Sequence, residues 1–373
     1  MITPHLVEIA RCPDCGGTLA PAPASGPGTG SPVASDPVCT RCGRVFPAAS
    51  GYLDLRPSAA FAEQTKYLDE ALHADARHES VAPPLLGSKI RNDMLRRFLR
   101  LAPGDRALDL GCGSGRTMVW NAGSGATLTG IDISPHFAAE AAGAHELVLG
   151  DLRRLPLAGG VFTKMWSLDV MEHLSREALE GVLVEAHRVL APGGRLFIYS
   201  HVRKNGWIAG GTRLVNRLAR ALEGLGLLDL RQERLRKSDH LNPVADHDDL
   251  SRVMRDAGFA IERVTYYTPV VGAVVENVMV RMAERFLARR AAARRGAGDG
   301  GPDAAAVRHA RASAQARLRR RGPVYHALRA LSGVMKLDLL LFGRLRSGPF
   351  FLLVRKEQPR RPGPRDLNPS PRR

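Results

Sequence analysis

Two groups of residues in this chain have types and spacings that could do chemistry. The first is a pair of cysteine knuckles, Cys12/Cys15 within CPDCGG and Cys39/Cys42 within CTRCGR. A CxxCG turn sets two thiolates on one tight loop with backbone N–H groups facing the sulfurs, so two such turns suffice for a tetrahedral zinc. Four sulfur ligands leave no open coordination position, and such a site is structural. The segment Met1–Ala10 holds Pro4, His5 and Glu8 and no long apolar run, so no secretory leader is expected. Paired CxxC spacing then points to metal and not to disulfides.

The second group starts at Leu108-Asp109-Leu110-Gly111-Cys112-Gly113-Ser114-Gly115. A glycine turn after a strand lets a ligand approach the backbone closely, because glycine has no Cβ and tolerates unusual dihedrals. By itself that turn fits equally a tight loop or a dinucleotide site. Asp132 ends the next strand, where it could accept both hydroxyls of a ribose. Asp151, in GDLRRLP, could hold an adenine amino group. A fourth strand runs into Ser167-Leu168-Asp169-Val170-Met171-Glu172-His173-Leu174. Proton-transfer candidates at the open end of the sheet are Asp169, Glu172, His173 and His201, with His240 on a later loop. Each has a structural alternative: Glu172 and His173 as helix caps, His240 as a loop-fixing hydrogen bonder.

The elements needed to position these residues are visible as a change of rhythm. Residues 89–101 place Ile90, Met94, Leu95, Phe98 and Leu101 on one helical face, and Pro103-Gly104 ends that helix. Short apolar strands then follow at 107–110, 127–133, 145–151, 161–169 and 195–200, with an amphipathic helix over 177–190 stopped by Pro192-Gly193-Gly194. A capped helix over 246–259 precedes a strand over 259–267, and a last strand is expected over 350–356. Strand–helix alternation of this kind means a parallel sheet with crossover helices.

In that order and spacing, LDLGCGSG, GIDIS, LGDLRRLP, WSLDVMEHL and RVLAPGGRLFIY resemble the class I S-adenosylmethionine-dependent methyltransferases of the type 11 kind. The resemblance covers about residues 100–268 and resumes at 348–356. It implies an α/β, Rossmann-like seven-stranded sheet with helices on both faces, whose last strand inserts antiparallel between the fifth and sixth. It also implies that Asp109, Gly111, Gly113 and Gly115 line the amino-acid end of S-adenosyl-L-methionine. Asp132 with Ile133 would take the ribose, Asp151 the adenine with Leu152 beside the ring, and Ser167 and Leu168 would lie near the methyl donor. Thr163-Lys164 departs from the family, which often has an acidic residue there; the change reads as a surface one. The cysteine segment resembles the zinc-ribbon-like small proteins that activate tRNA methyltransferases.

The expected organisation is a zinc-ribbon-like module over 1–57, a helical linker over 58–100 and a methyltransferase domain over 101–269. A basic helical insert with a mobile centre follows over 270–345, then the last strand over 346–356 and a disordered tail over 357–373. The module is expected to be separable, so its loss should leave cofactor affinity nearly unchanged.

The net charge of +17 is concentrated: residues 281–321 carry +9 and 357–373 carry +3, leaving +5 for everything else. A body so mildly basic argues against nucleic acid as the acceptor, as does the absence of an NPPY-like tetrad after the fourth strand. No run of about 18 apolar residues is free of charge, which excludes a spanning helix. Three basic amphipathic patterns, at 207–230, 271–290 and 324–345, fit either a lid packed on the sheet or a surface lying on anionic membrane. In the first, Leu214, Leu218, Leu222 and Leu225 are expected to share a face. The expected protein is cytoplasmic, with peripheral contact at the inner face of the membrane left open, and acts on a small-molecule or lipid-linked acceptor. An RNA methyltransferase and a non-catalytic cofactor-binding partner are the alternatives.

Overall fold

The structure, a computed structural model, describes residues 2–21, 36–47, 51–58, 81–204, 206–228, 230, 240–286, 318 and 321–357. The expected mobile centre of the insert, nearly all of the expected tail and the first part of the linker lie outside the described residues.

Eight strands form one sheet in the order β3-β6-β5-β4-β7-β8-β10-β9. They are β3 (Leu53–Asp54), β4 (Arg106–Leu110), β5 (Thr127–Asp132), β6 (Glu146–Leu149), β7 (Phe162–Leu168), β8 (Leu190–His201), β9 (Phe259–Tyr266) and β10 (Pro349–Lys356). Strands β3 to β8 pair in parallel, and β10 runs antiparallel between β8 and β9. Seven of these are the expected strands in the expected topology. Strands covered on both faces read as continuous apolar runs, and ELVL of β6 is buried at every position.

The eighth strand, β3, was not foreseen. It follows the cysteine segment and pairs Leu53 with Val148 and Asp54 with Leu149 on the outer edge of β6. The segment before it holds β1 (Leu19–Pro21), β2 (Pro37–Cys39) and helix α1 (Pro4–Ile9). Its apolar residues enter the main core: Leu6, Ile9, Phe46, Leu53 and Leu55 are buried with Val148, Leu155 and Leu157. Backbone bonds add to this seam, from Arg11 N to the Pro156 carbonyl (2.9 Å) and from Ala158 N to that of Ile9 (2.7 Å). Glu146 at the start of β6 accepts hydrogen bonds from Thr3 and from Thr129 (2.7 Å), and His5 lies 3.2 Å from it.

One face of the sheet packs this segment together with α5 (Arg176–Val189) and α7 (His247–Asp256). The other face packs α2 (Leu86–Leu99), α3 (Arg116–Asn121), α4 (Ala139–Ala144) and the insert. In α5 the Ser175 hydroxyl accepts the Ala178 N–H at 3.1 Å, and the stripe Leu179, Val182, Leu183, Ala186, Val189 is buried.

The described parts of the insert are helical and cover the sheet. They are α8 (Val270–Ala273), which runs on as a π-helix over Val274–Val280, then α9 (Pro323–Met335) and α10 (Leu337–Phe342). Buried Asp338 of α10 accepts the N–H groups of Val271 (2.9 Å) and Gly272 (2.8 Å), clamping the two halves together. Helix α6 (Ala209–Gly224) departs from expectation. Its packed positions are small, Ala209 and Ala219, and Gly211 lies against Val270. Small residues let helices approach closely, and most of the leucine face turns outward: Leu214 is 67% exposed and Leu225 73%, while Leu222 packs with Ala219 and Leu228.

Candidate active site and thiol cluster

The glycine turn links β4 to α3. Gly111, Gly113 and Gly115 have φ of +74°, +53° and +77°, the left-handed region that favours glycine. Their reasons differ. A Cβ on Gly111 would lie 2.6 Å from Cγ2 of Val170, and one on Gly115 would lie 2.6 Å from Cβ of Ala141. A Cβ on Gly113 would meet nothing within 4 Å. Two glycines serve packing inside the protein, and the third borders open space.

Asp132, at the end of β5, stands beside that space. Its Oδ2 accepts the Gly113 N–H at 2.7 Å and its Oδ1 the Ser134 N–H at 2.9 Å; Ile133 next to it is half-buried. Asp109 is buried in β4, and burial, reinforced by the charge of Asp132, pushes its carboxyl up to about 8. Ser167 is buried and Leu168 half-buried at the end of β7. Asp151 departs from the simple picture. Its two oxygens accept the N–H, Nε and guanidinium terminus of Arg153 at 2.9–3.1 Å, with half-buried Leu152 between them.

The proton-transfer candidates divide. Glu172 and His173 lie on a single 3₁₀ turn, Met171–His173, directly after β7. His201 ends β8, and its Nε2 is 3.2 Å from Nδ1 of His240. The His173 and His240 rings meet edge-on at 4.7 Å. The Glu172 carboxyl accepts the Ser200 hydroxyl at 2.8 Å and is buried; burial, with the nearby Asp169 charge, pushes it up to about 8. These four residues form one cluster at the carboxyl ends of β7 and β8, where ligands bind in open α/β sheets.

Asp169 turns elsewhere. It holds φ +56° and pairs with Arg91 of α2 at 3.2 Å. Arg91 also stacks over Tyr199 at 5.4 Å, and Glu276 and Tyr267 lie within its electrostatic reach. Sequence reading missed Arg91, Tyr199 and Glu276. Arg91 sits beside the apolar stripe that defined its helix, and its partners are remote in the chain.

At the other edge of the sheet the four paired cysteines converge. Their sulfurs all lie within 4.8 Å of one another, with Cys12–Cys42 at 3.7 Å and Cys15–Cys39 at 3.4 Å. Sulfurs on a tetrahedral zinc at about 2.3 Å stand close to 3.8 Å apart, so the set fits zinc. A Cβ on Gly17 would come within 2.9 Å of the Cys39 sulfur, so this glycine is required by the cluster.

Comparison with known proteins agrees with this geometry. Residues 108–198 match the family model described as a methyltransferase domain. The chain carries a class I methyltransferase domain. An uncharacterized methyltransferase of Synechocystis is 32% identical over 117 residues, 30% of this chain and 53% of that protein. Squalene methyltransferase 1 of Botryococcus braunii is 30% identical over 154 residues, covering 38% and 40%. Demethylmenaquinone methyltransferase of Mycolicibacterium vanbaalenii is 41% identical over 108 residues, covering 28% and 45%. The chain thus spans about half the length, or less, of the curated relatives it matches. Among solved structures, phosphoethanolamine N-methyltransferase 2 of Haemonchus contortus with S-adenosyl-L-methionine aligns at a TM-score of 0.46 and 17% identity, over 80% of this chain and 59% of that one. In the methyltransferase domain Gly113 borders open space, and its N–H is held by the Asp132 carboxylate.

Buried Asp109 gives the domain a pH signature. A carboxyl whose folded value is raised to about 8 from 3.8 binds an extra proton in the folded state between those values. Its contribution to stability is therefore complete below about 4 and is lost as pH rises through 8, with a slope of about 1.4 kcal/mol per pH unit inside that window. Urea unfolding at pH 6 and pH 9 should show the wild type weaker at pH 9. Asp109→Asn should remove about half of that difference, because buried Glu172, also raised to about 8, contributes a similar loss; an equal difference in both proteins would contradict the assignment.

Proposed function

We propose that the domain transfers a methyl group from S-adenosylmethionine to a small-molecule or lipid-linked acceptor, and that the cysteine cluster holds one structural zinc. The observation that carries the first reading is the open face of Gly113 beside the Asp132 carboxylate, with a titratable cluster at the same end of the sheet. Bound S-adenosylmethionine supplies an electrophilic methyl on a sulfonium, so the protein's share is alignment. Asp132 and Ile133 take the ribose, while Asp109 and the glycine turn face the amino-acid end. Ser167 and Leu168 border the methyl. Asp151 and Leu152 serve the adenine, which requires Arg153 to release the carboxylate. Within the cluster of Glu172, His173, His201 and His240, His201 takes the acceptor's proton.

Two features favour an apolar acceptor. The relatives named for squalene and demethylmenaquinone act on apolar molecules. Trp207 (84% exposed), Leu214, Leu218 and Leu225 also make an outward stripe along α6 beside Arg213, Arg217 and Arg220, the pattern of a helix that rests on an anionic lipid surface. Among the described residues no helix is long and apolar enough to cross a membrane.

Incubation with methyl-labelled cofactor and separate lipid, small-molecule and RNA extracts tests the reading. Label in the lipid or small-molecule fraction is expected. Label in RNA alone would overturn the acceptor class, and no label in any fraction would overturn transfer.

A further inference from the structure

We propose that Glu172, His173 and His240 form a metal site separate from the cysteine cluster, one that takes a divalent transition ion and offers it to the acceptor. Its part in the reaction rests on the methyl-transfer reading above; the binding of the ion does not.

The three residues each present a ligand atom, and these atoms all lie within 4.8 Å of one another. They come from two places in the chain that the fold ties together. Glu172 and His173 are neighbours on the turn after β7. His240 is brought to them by a loop whose next two N–H groups, of Leu241 and Asn242, both donate to the Glu172 carbonyl at 2.8 and 3.0 Å. The set is therefore held by backbone bonds as well as by the side chains' own contacts.

The surrounding groups are those a metal site uses. The Ser200 hydroxyl fixes one oxygen of the Glu172 carboxylate. His201 stands beside two of the ligands, with Nε2 3.2 Å from Nδ1 of His240 and Nδ1 3.9 Å from Oε1 of Glu172. The side-chain oxygen of Asn242, on the same loop, is buried with no hydrogen-bond partner among the described residues. A carboxyl group and three imidazoles crowded together offer lone pairs that suit a cation, whose binding would release the carboxyl proton.

Composition narrows the ion. Two imidazoles and one carboxylate suit zinc, ferrous iron or cobalt and not magnesium or calcium, which take oxygen ligands. Three protein ligands also leave coordination open, unlike the four thiolates at the other edge of the sheet. An acceptor hydroxyl or enol oxygen entering the open position would lose its proton to His201 and keep its electron pair. That pair then forms the new O–CH₃ bond as the S–CH₃ pair returns to sulfur, leaving S-adenosylhomocysteine and an unchanged metal charge.

Cobalt(II) titration of the full-length protein tests the site. The wild type should bind one equivalent that shows visible d–d bands without the thiolate charge-transfer absorption of a cysteine site. His173→Ala and His240→Ala should each weaken that binding at least tenfold, and Glu172→Gln likewise. Calorimetry with S-adenosylhomocysteine should give wild-type affinity in the histidine variants, which shows that they are folded. Absence of a thiolate-free cobalt signal in the wild type would overturn the site, as would wild-type cobalt affinity in both histidine variants. Cobalt binding without methyl transfer to any acceptor would sink the transfer reading and leave the site standing; transfer without cobalt binding would do the reverse.

Discussion

Replacing both Cys39 and Cys42 with serine should destabilise the whole catalytic body, and not residues 1–57 alone. The cysteine segment is continuous with the body: β3 pairs with β6, and Leu6, Ile9, Phe46, Leu53 and Leu55 share one core with Val148, Leu155 and Leu157. A structural zinc contributes about 10–16 kcal/mol to the small peptides it folds, comparable to the entire stability of a domain. Part of that is retained here by apolar burial, so a loss on the order of several kcal/mol is expected. For a body of this size that lowers Tm by ten degrees or more. Hydrogen exchange should show the amides of 146–149 losing protection together with those of the cysteine segment. Because β6 leads directly to Asp151, affinity for S-adenosylhomocysteine should also fall. This replaces the expectation of a separable module. Intact protection at β6 with unchanged affinity would restore it.

Asp132→Ala should cost about 1.5–3 kcal/mol of cofactor affinity, the worth of a hydrogen bond to a charged group, which is about 10- to 150-fold. The same carboxylate also pins the N–H groups of Gly113 and Ser134, so the loop beside the ribose loosens as well. The glycines should then separate by phenotype. Alanine at 111, 113 or 115 pays roughly 1–2 kcal/mol for a left-handed backbone. At 111 and 115 it also overlaps Val170 or Ala141 at 2.6 Å, so the main loss should be stability. At 113 the new methyl points into the cleft, and the main loss should be affinity. Calorimetry with S-adenosylhomocysteine beside urea unfolding reads both. Three variants with the same ratio of affinity loss to stability loss would contradict the division of roles.

Much of the sheet is legible in the sequence for a physical reason. Strands buried on both faces are mostly apolar, and ALDL and ELVL announce themselves that way, each with a single acid, Asp109 or Glu146, in the run. The residues proposed to hold the cofactor are legible because Gly111, Gly113, Gly115 and Asp132 sit at fixed offsets from those strands. What escaped reading depends on partners distant in sequence. A two-residue strand such as β3 has no periodicity to detect. Arg91 is a polar side chain on an apolar helix face until Asp169 and Tyr199 arrive. The leucines of α6 look like a packing face, yet the neighbours select Ala209 and Ala219, and nothing within the helix itself reveals that choice. The histidines were each visible singly; their meeting required the bonds from 241 and 242 to Glu172.

The position of β10 has a consequence for biosynthesis. Among the described residues it is the last strand, but it lies between β8 and β9, which are complete at His201 and Tyr266. A growing polypeptide therefore carries two open strand edges until residues 349–356 leave the ribosome. At about 5–20 residues per second that interval is several seconds or more. During it the free edge of β8, apolar along Leu196–Tyr199, is exposed to pairing with other chains. Expression of this protein should accordingly be sensitive to holdase chaperones and to temperature during translation, while the finished molecule, with β10 seated between β8 and β9, should be less so.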